Sequence, residues 1–157
     1  IQITDNIHPE RSIMIRKFNE NDLLPIMQIW LDSNIDAHSF IPAQYWLDNA
    51  NMVKDMLPQA EIYVYEDNAS KHISGFIGLN EDYIEGIFVE RTMRSKCIGR
   101  QLLDYVKAIK PAMSLNVYQK NSRAVAFYQR EHFVIRSESL DSATNEKDFL
   151  MVWSKLR

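Results

Sequence analysis

Between a strand-like run ending at Val89 and an amphipathic run beginning at Ile98, the chain places Arg94-Ser95-Lys96-Cys97-Ile98-Gly99, with Arg100 directly behind. A strand-to-helix turn leaves the first backbone N–H groups of the helix without partners, and the positive end of the helix dipole points the same way. Arg94, Lys96 and Arg100 add positive charge beside those donors, and Gly99 lets a ligand approach the first turn. The chemistry this suits is the binding of an anion such as a diphosphate, held mainly by backbone donors with screened help from the side chains. A solvated basic loop is the plainer alternative. Neither a Gly-x-Gly-x-x-Gly stretch nor a glycine-rich loop ending in Gly-Lys-Ser or Gly-Lys-Thr is present, which argues against the common nucleotide-binding patterns. Cys97 lacks a local histidine and carboxylate to activate it, so a nucleophilic role is not favoured.

The elements that must hold this turn can be read from periodicity. Ile13, Ile15 and Phe18 suggest a first strand, and Asn19 with Asp22 forms a weak variant of a capping box. The helix that follows carries Leu23, Ile26, Met27, Trp30 and Leu31 on one stripe. Residues 36–41 read as a loop, and Pro42 opens a second helix with Tyr45, Trp46, Met52, Val53, Met56 and Leu57, closed by Pro58. Strands are expected over 62–65, 73–79 and 83–89, the last two antiparallel across the short link at residues 80–82. Gly75, Gly78 and Gly86 weaken these strands, which points to a bulge, a close backbone or ligand approach, or packing against an aromatic ring. A helix over 98–109, a strand over 113–118, a helix over 123–131 capped by Ser122, and strands over 133–135 and 149–153 complete the order, the last two joined by a solvated polar connection.

Bulk properties narrow the classes. A chain of 157 residues suits one domain, expected over 13–157, with residues 1–12 a polar peripheral arm or a cloning remnant. With 18 basic and 21 acidic residues the net charge of -3 gives no general attraction to nucleic acid or to an anionic membrane. One cysteine excludes an internal disulfide framework and a thiolate zinc cluster, and fits a reducing cytoplasm; no metal is expected. No apolar run approaches a membrane span, and the beginning of the chain has no signal-like pattern.

The Arg94-to-Gly99 stretch, continued by Arg100-Gln101-Leu102-Leu103, and a second stretch from Leu115 to Tyr128 (LNVYQKNSRAVAFY) resemble the GNAT superfamily of acetyltransferases, particularly small bacterial members that acetylate protein lysines or N-termini. The resemblance runs from about Met14 to Trp153. It implies an α/β fold (α+β in some schemes): a mixed, mostly antiparallel sheet of six or seven strands, flanked by about four helices and splayed to admit acetyl-CoA. It further implies that Ile87, Phe88 and Val89 border the pantetheine arm, that the turn Arg94, Ser95, Lys96, Cys97, Ile98, Gly99 and Arg100 holds the diphosphate, and that Asn121, Phe127 and Tyr128 contact the coenzyme. Tyr128 is then the general acid or a hydrogen-bond donor to the leaving thiolate, and the Val89 N–H polarises the carbonyl. Glu85 is a candidate base, while His38 and Tyr118 are candidates for lining the acceptor cleft.

The implied reaction is direct attack by a primary amine on acetyl-CoA in a ternary complex, the acceptor being a protein lysine or N-terminus, a small amine or polyamine, or, in a silent acyl-CoA-binding module, absent. A monomer or a homodimer is compatible with this reading. Two departures from the family pattern stand out. Cys97 takes the place of the usual first glycine, and His132 that of the glycine before Phe133. Cys97 is tolerable if its φ is negative and harmful if its Cβ meets phosphate.

Overall fold

The computed structural model describes residues 12–156. The expected arm lies outside these residues, apart from Ser12, whose carbonyl and hydroxyl oxygens accept from the Asn68 backbone and side chain. The elements run β1 (Ile13–Lys17), α1 (Leu23–Ala37), α2 (Ala43–Met56), β2 (Glu61–Asp67), β3 (Ile73–Asn80), β4 (Tyr83–Val89), α3 (Ile98–Lys107), β5 (Ala112–Tyr118), α4 (Ser122–Arg130), β6 (Val134–Asp141) and β7 (Glu146–Ser154). This is the expected order. The seven strands form one sheet in the sequence β1-β2-β3-β4-β5-β7-β6, antiparallel except where β4 meets β5.

The sheet is covered on both faces over its central strands, which are accordingly mostly apolar. β3 is buried from Ile73 to Leu79, and β2 sends Tyr63 and Tyr65 to one face and Ile62 and Val64 to the other. On the first face Ile98, Leu102 and Val106 of α3 join Ile77, Leu79, Leu115 and Met151; on the second, Ile26, Ile29 and Trp30 of α1 join Phe76. Complete burial of a residue such as Ile26 or Leu102 stabilises by about 2 kcal/mol relative to exposure.

Several boundaries differ from those the sequence predicts. α1 continues to Ala37, so Asp36 is helical and not part of a loop. The cap of α4 is Asn121, whose Oδ1 accepts from the Ala124 N–H, and not Ser122. α3 ends at Lys107, leaving Ile109 half exposed. The segment expected to be a solvated connection is mostly strand. β6 and β7 form a hairpin turned at residues 142–145, and β6 is the sheet edge, exposed along nearly its whole length. A strand without a buried face carries no apolar alternation, which is why it is silent in the sequence.

The β1–α1 junction is held by charge. Arg16 donates to both Asp22 oxygens at 2.8 and 2.9 Å and to Glu66 at 2.6 Å, while Asp22 also accepts from the Asn19 N–H in the expected capping box. Burial pushes the Asp22 carboxyl up, but the Arg16 and Asn19 hydrogen bonds outweigh it and hold the group below its ordinary value. Asp22→Ala is expected to lower unfolding free energy by about 1–2 kcal/mol, because it removes the two hydrogen bonds from Arg16 and the cap on the Asn19 N–H while Glu66 keeps the guanidinium paired. A carboxyl depressed in the folded state stabilises fully above its unfolded value and loses that contribution as pH falls through the folded one. The gap between wild type and variant in urea unfolding should therefore be full at neutral pH and shrink once pH falls below about 4.

Candidate active site

β4 and β5 share a single ladder pair, Tyr83 with Ser114, supported by the Ser114 N–H donating to the Asp82 carbonyl at 3.0 Å. Beyond it the two strands diverge, opening a cleft of about 1370 Å³. The Glu90 N–H donates to Ser74 of β3, and successive residues of a strand direct their amides to opposite sides. Val89 and Ile87 therefore aim their backbone groups into the splay, where the Ser33 hydroxyl donates to the Val89 carbonyl at 3.4 Å.

The splay begins at a bulge. Gly78 pairs with Gly86 and Leu79 with Ile84, so Glu85 is an extra residue displaced toward the cleft it lines. Gly86 lies beneath the Phe88 ring: a Cβ there would sit 2.4 Å from Cζ. Bulge and aromatic packing, alternatives in the sequence, are both present.

At one end of the cleft is the basic turn. Residues Arg91–Lys96 form a 3-10 helix, Cys97 follows in the left-handed region at φ 58°, and α3 starts at Ile98 with no side-chain cap on its N–H groups. Cys97 thus adopts the conformation that favours glycine, a case outside both alternatives weighed for it. Its side chain is exposed. A Cβ at Gly99 would lie 3.6 Å from Phe127 and 3.9 Å from Ile87, ordinary contacts, so nothing within the protein requires the glycine. The cleft wall takes Arg94, Ser95, Cys97, Gly99 and Arg100, whereas Ile98 turns its side chain into the core and Lys96 lies outside the wall. Arg94 pairs with Asp36 at 2.5 Å, and this contact holds the Asp36 carboxyl down against slight desolvation, with Arg91 and Arg123 adding attraction.

Midway, Phe127 and Tyr128 of α4 close the wall. Tyr128 is 8% exposed and packs edge-on against Phe127 and Phe133; its carbonyl accepts from the Phe133 N–H at 2.9 Å, while its phenol makes no hydrogen bond with the described residues. Burial pushes its phenol well above the ordinary value, with Tyr83 adding a smaller effect. A phenol so raised keeps its proton and is available to donate it in a hydrogen bond. Full transfer to a thiolate, with a conjugate acid near 8.5, would run uphill. The hydrogen-bond-donor alternative is therefore better supported than the general acid.

The other end is aromatic and acidic. His38 stacks on Trp46 and meets Tyr118 and Phe40 edge-on, and Tyr118 donates to Asp141 at 2.6 Å. Asp148 accepts from the Ser139 hydroxyl and, at 3.4 Å, from Asn116, which itself accepts from Tyr83. Glu85, Asp141 and Asp148 line this end, and among the described residues no lysine or arginine pairs with them. Glu85 keeps solvent access, yet the cleft walls push its carboxyl up. Burial lowers the His38 imidazolium value, and burial followed by the Asp141 hydrogen bond raises that of Tyr118. Trp46, which also lines the cleft, packs edge-on against Trp30 and Tyr45.

Sequence reasoning missed Ser33, Asn34 and Asp36, the polar side of the last turns of α1, and Asp141 and Asp148 on the hairpin. The interruption of the apolar stripe after Leu31 was an available signal for the first group. No group of three or more histidine, cysteine or acidic side chains suited to a metal occurs among the described residues. None of the helices described is long and apolar enough to cross a membrane.

A sheet opened beside a basic helix N-terminus is the architecture of an acyl-CoA-binding transferase, and comparison with known proteins specifies it. A family model, the acetyltransferase (GNAT) domain, matches residues 58–135. The peptidyl-lysine N-acetyltransferase YiaC of Escherichia coli K12 is 33% identical over 142 residues, covering 89% of this chain and 96% of that protein. YjaB of the same organism, also a peptidyl-lysine N-acetyltransferase, is 26% identical over 81% of this chain and 86% of its own length. Among solved structures, the apo form of Escherichia coli YjaB superposes with a TM-score of 0.80 at 24% identity, covering 90% of this chain and 97% of that one. The PaiA N-acetyltransferase of Thermoplasma acidophilum, solved with coenzyme A, gives 0.77 at 20% identity, covering 91% and 99%. The chain belongs to the GNAT family of acetyltransferases and has that family's acetyl-CoA-binding fold.

Two substitutions test the basic turn. Gly99→Ala is expected to leave thermal stability unchanged or slightly higher, since a helical alanine is favoured by about 1 kcal/mol over glycine, while weakening acetyl-CoA binding in calorimetry. At Cys97 the expected order of unfolding midpoints is glycine at or above cysteine and cysteine above valine, because a β-branched side chain suits the left-handed region worst. The separation from cysteine to valine should be about 1–2 kcal/mol in chemical denaturation.

Proposed function

We propose that this protein transfers the acetyl group of acetyl-CoA to the side-chain amine of a lysine in a protein or peptide. The observation that carries the reading is the polarity of the cleft, in which basic groups and open helix N–H donors lie at one end and three cation-free carboxylates at the other, with the Tyr128 phenol between. The peptidyl-lysine activity of YiaC and YjaB supports it.

Acetyl-CoA supplies an electrophilic thioester carbon; the rest follows from groups on the chain. The N–H groups opening α3, with Arg94 and Arg100, would hold the diphosphate, and the β4 edge at Ile87 and Val89 would hold the extended arm. Asn121 would contact it near its inner end. A Val89 N–H directed into the splay is suited to polarise the carbonyl. Glu85, Asp141 and Asp148 attract an ammonium ion, which must then lose a proton. At pH 7.5 that costs about 4 kcal/mol for an unperturbed lysine. Glu85, raised above the ordinary carboxyl value by burial, is suited to accept that proton, directly or through water. Once Glu85 has passed this first proton to water, the neutral amine attacks. As the carbon–nitrogen bond forms and the carbon–sulfur bond breaks, the second amine proton leaves through Glu85 to solvent. The departing thiolate, held by a hydrogen bond from Tyr128, takes a proton from water, so the products are the amide, the coenzyme thiol and one released proton. The same carboxylates also suit a small polyamine, which is the second reading.

Thiol release with acetyl-CoA and a panel of lysine peptides, N-terminal amines and polyamines separates these acceptors, and the lysine peptides are expected to give the highest kcat/KM. No release with any amine would end the proposal. Tyr128→Phe retains the ring and removes the donor, so kcat should fall about 10-fold to 100-fold while acetyl-CoA affinity changes less than twofold. A loss of acetyl-CoA affinity with kcat unchanged would assign Tyr128 to binding alone.

A further inference from the structure

His38 follows the last residue of α1 on the acceptor side of the cleft, yet its bonding leads to the other side. Nδ1 lies 2.9 Å from the Asn34 carbonyl, which can only accept, so Nδ1 carries the proton. The neutral ring then has a lone pair on Nε2, and the atom facing it at 3.3 Å is the Nδ2 donor of Asn121. The other end of that amide is engaged as well, since Oδ1 accepts from the Ala124 N–H at 3.3 Å as the cap of α4. Both ends specify one orientation: a flipped amide would set oxygen against the lone pair and N–H against N–H. The imidazole cannot turn away, being stacked on Trp46 at 5.1 Å and bounded by Tyr118 at 5.2 Å and Phe40 at 5.7 Å.

We propose that His38 is a positioning residue for the coenzyme half of the reaction, acting through Asn121: it fixes the amide that caps α4, and so the helix start from which Phe127 and Tyr128 reach the cleft wall. The inference rests on the proposed use of this cleft for acetyl-CoA. It deepens that reading by joining the acceptor loop to the coenzyme wall through a single hydrogen-bonded pair.

The pair has a polarity that acid reverses. A protonated Nε2 becomes a donor facing a donor, so the link holds only while His38 is neutral, the form its desolvation favours. Its neighbours on α1, α2 and α4 are the uncharged Asn34, Trp46 and Asn121. The titratable Tyr118 faces it from β5, with Asp141 of β6 behind the Tyr118 hydroxyl, and Lys120 lies over the Phe40 ring.

The test compares His38→Phe, which keeps an aromatic ring without a lone pair, with His38→Gln, whose side-chain oxygen can accept from Asn121. Acetyl-CoA binding is measured by calorimetry, without acceptor, alongside the unfolding midpoint. His38→Phe is expected to weaken acetyl-CoA three- to tenfold, the worth of one ordinary hydrogen bond, and to lower kcat, with the acceptor KM changed less than twofold. His38→Gln should return acetyl-CoA affinity to within twofold of wild type. Wild-type affinity should decline from pH 7.5 to pH 5.5, and that of His38→Gln should decline less. Unchanged acetyl-CoA affinity in a folded His38→Phe, or an effect confined to the acceptor KM, overturns the proposal. So does a His38→Gln that binds no better than His38→Phe, since packing alone would then explain the loss. Because calorimetry needs no amine, failure of the proposed acceptor leaves this test standing, whereas absence of acetyl-CoA binding by the wild type defeats the functional reading itself.

Discussion

The ladder between β4 and β5 stops after one pair, and the architecture of the cleft follows from that interruption. A continuous sheet would satisfy every backbone group and leave no room between layers. Here β3 and β7 hold the two halves in place by long antiparallel pairings, so the gap is rigidly bounded on both sides. Unpaired amides of a buried strand are costly unless something bonds to them. Ser33 partly answers this at Val89, and an extended ligand arm would answer the rest. The bulge at Glu85 bends β4 at the start of the divergence and turns a carboxylate toward the opening, so one extra residue both shapes the cleft and equips it.

Charge along the cleft is graded. Arginines surround the α3 N-terminus, and the carboxylates gather where the hairpin approaches the aromatic loop. Asp36 and Glu131 are acidic groups among these cations: Glu131 lies beside Arg100, and Asp36 ties the end of α1 to the turn through Arg94. Both ends of the cleft therefore depend on α1, through Asp36 at one and through Asn34 and His38 at the other. The helix is fixed in turn by the Arg16 bridge at its beginning.

Much of this was legible in the sequence because buried elements announce themselves. β2, β3 and β4 are apolar runs between polar turns, α3 has a clear stripe, and the Arg94-to-Gly99 and Asn121-to-Tyr128 stretches mark two walls of the cleft. What stayed hidden has a common physical cause. Strand order, the pairing of β7 between β5 and β6, and the carboxylates Asp141 and Asp148 all depend on a hairpin whose outer strand, β6, faces water and carries no period. The His38–Asn121 contact spans 83 residues and involves two polar side chains with local explanations of their own. The left-handed conformation of Cys97 was left open by the sequence, where the one hint was the glycine that the family pattern has at this position.

Cys97 is one of five described residues with positive φ, together with Lys71, Glu81, His132 and Asn145, and none of the four glycines is among them. Glycine in this chain makes room beside strands, rings and the α3 start, while side-chain-bearing residues occupy the left-handed turns. Lys71, Glu81 and Asn145 close the β2–β3, β3–β4 and β6–β7 hairpins. These turns constitute an unused reserve of thermal tolerance, which turn redesign could draw on without altering the chemistry between β4 and β5.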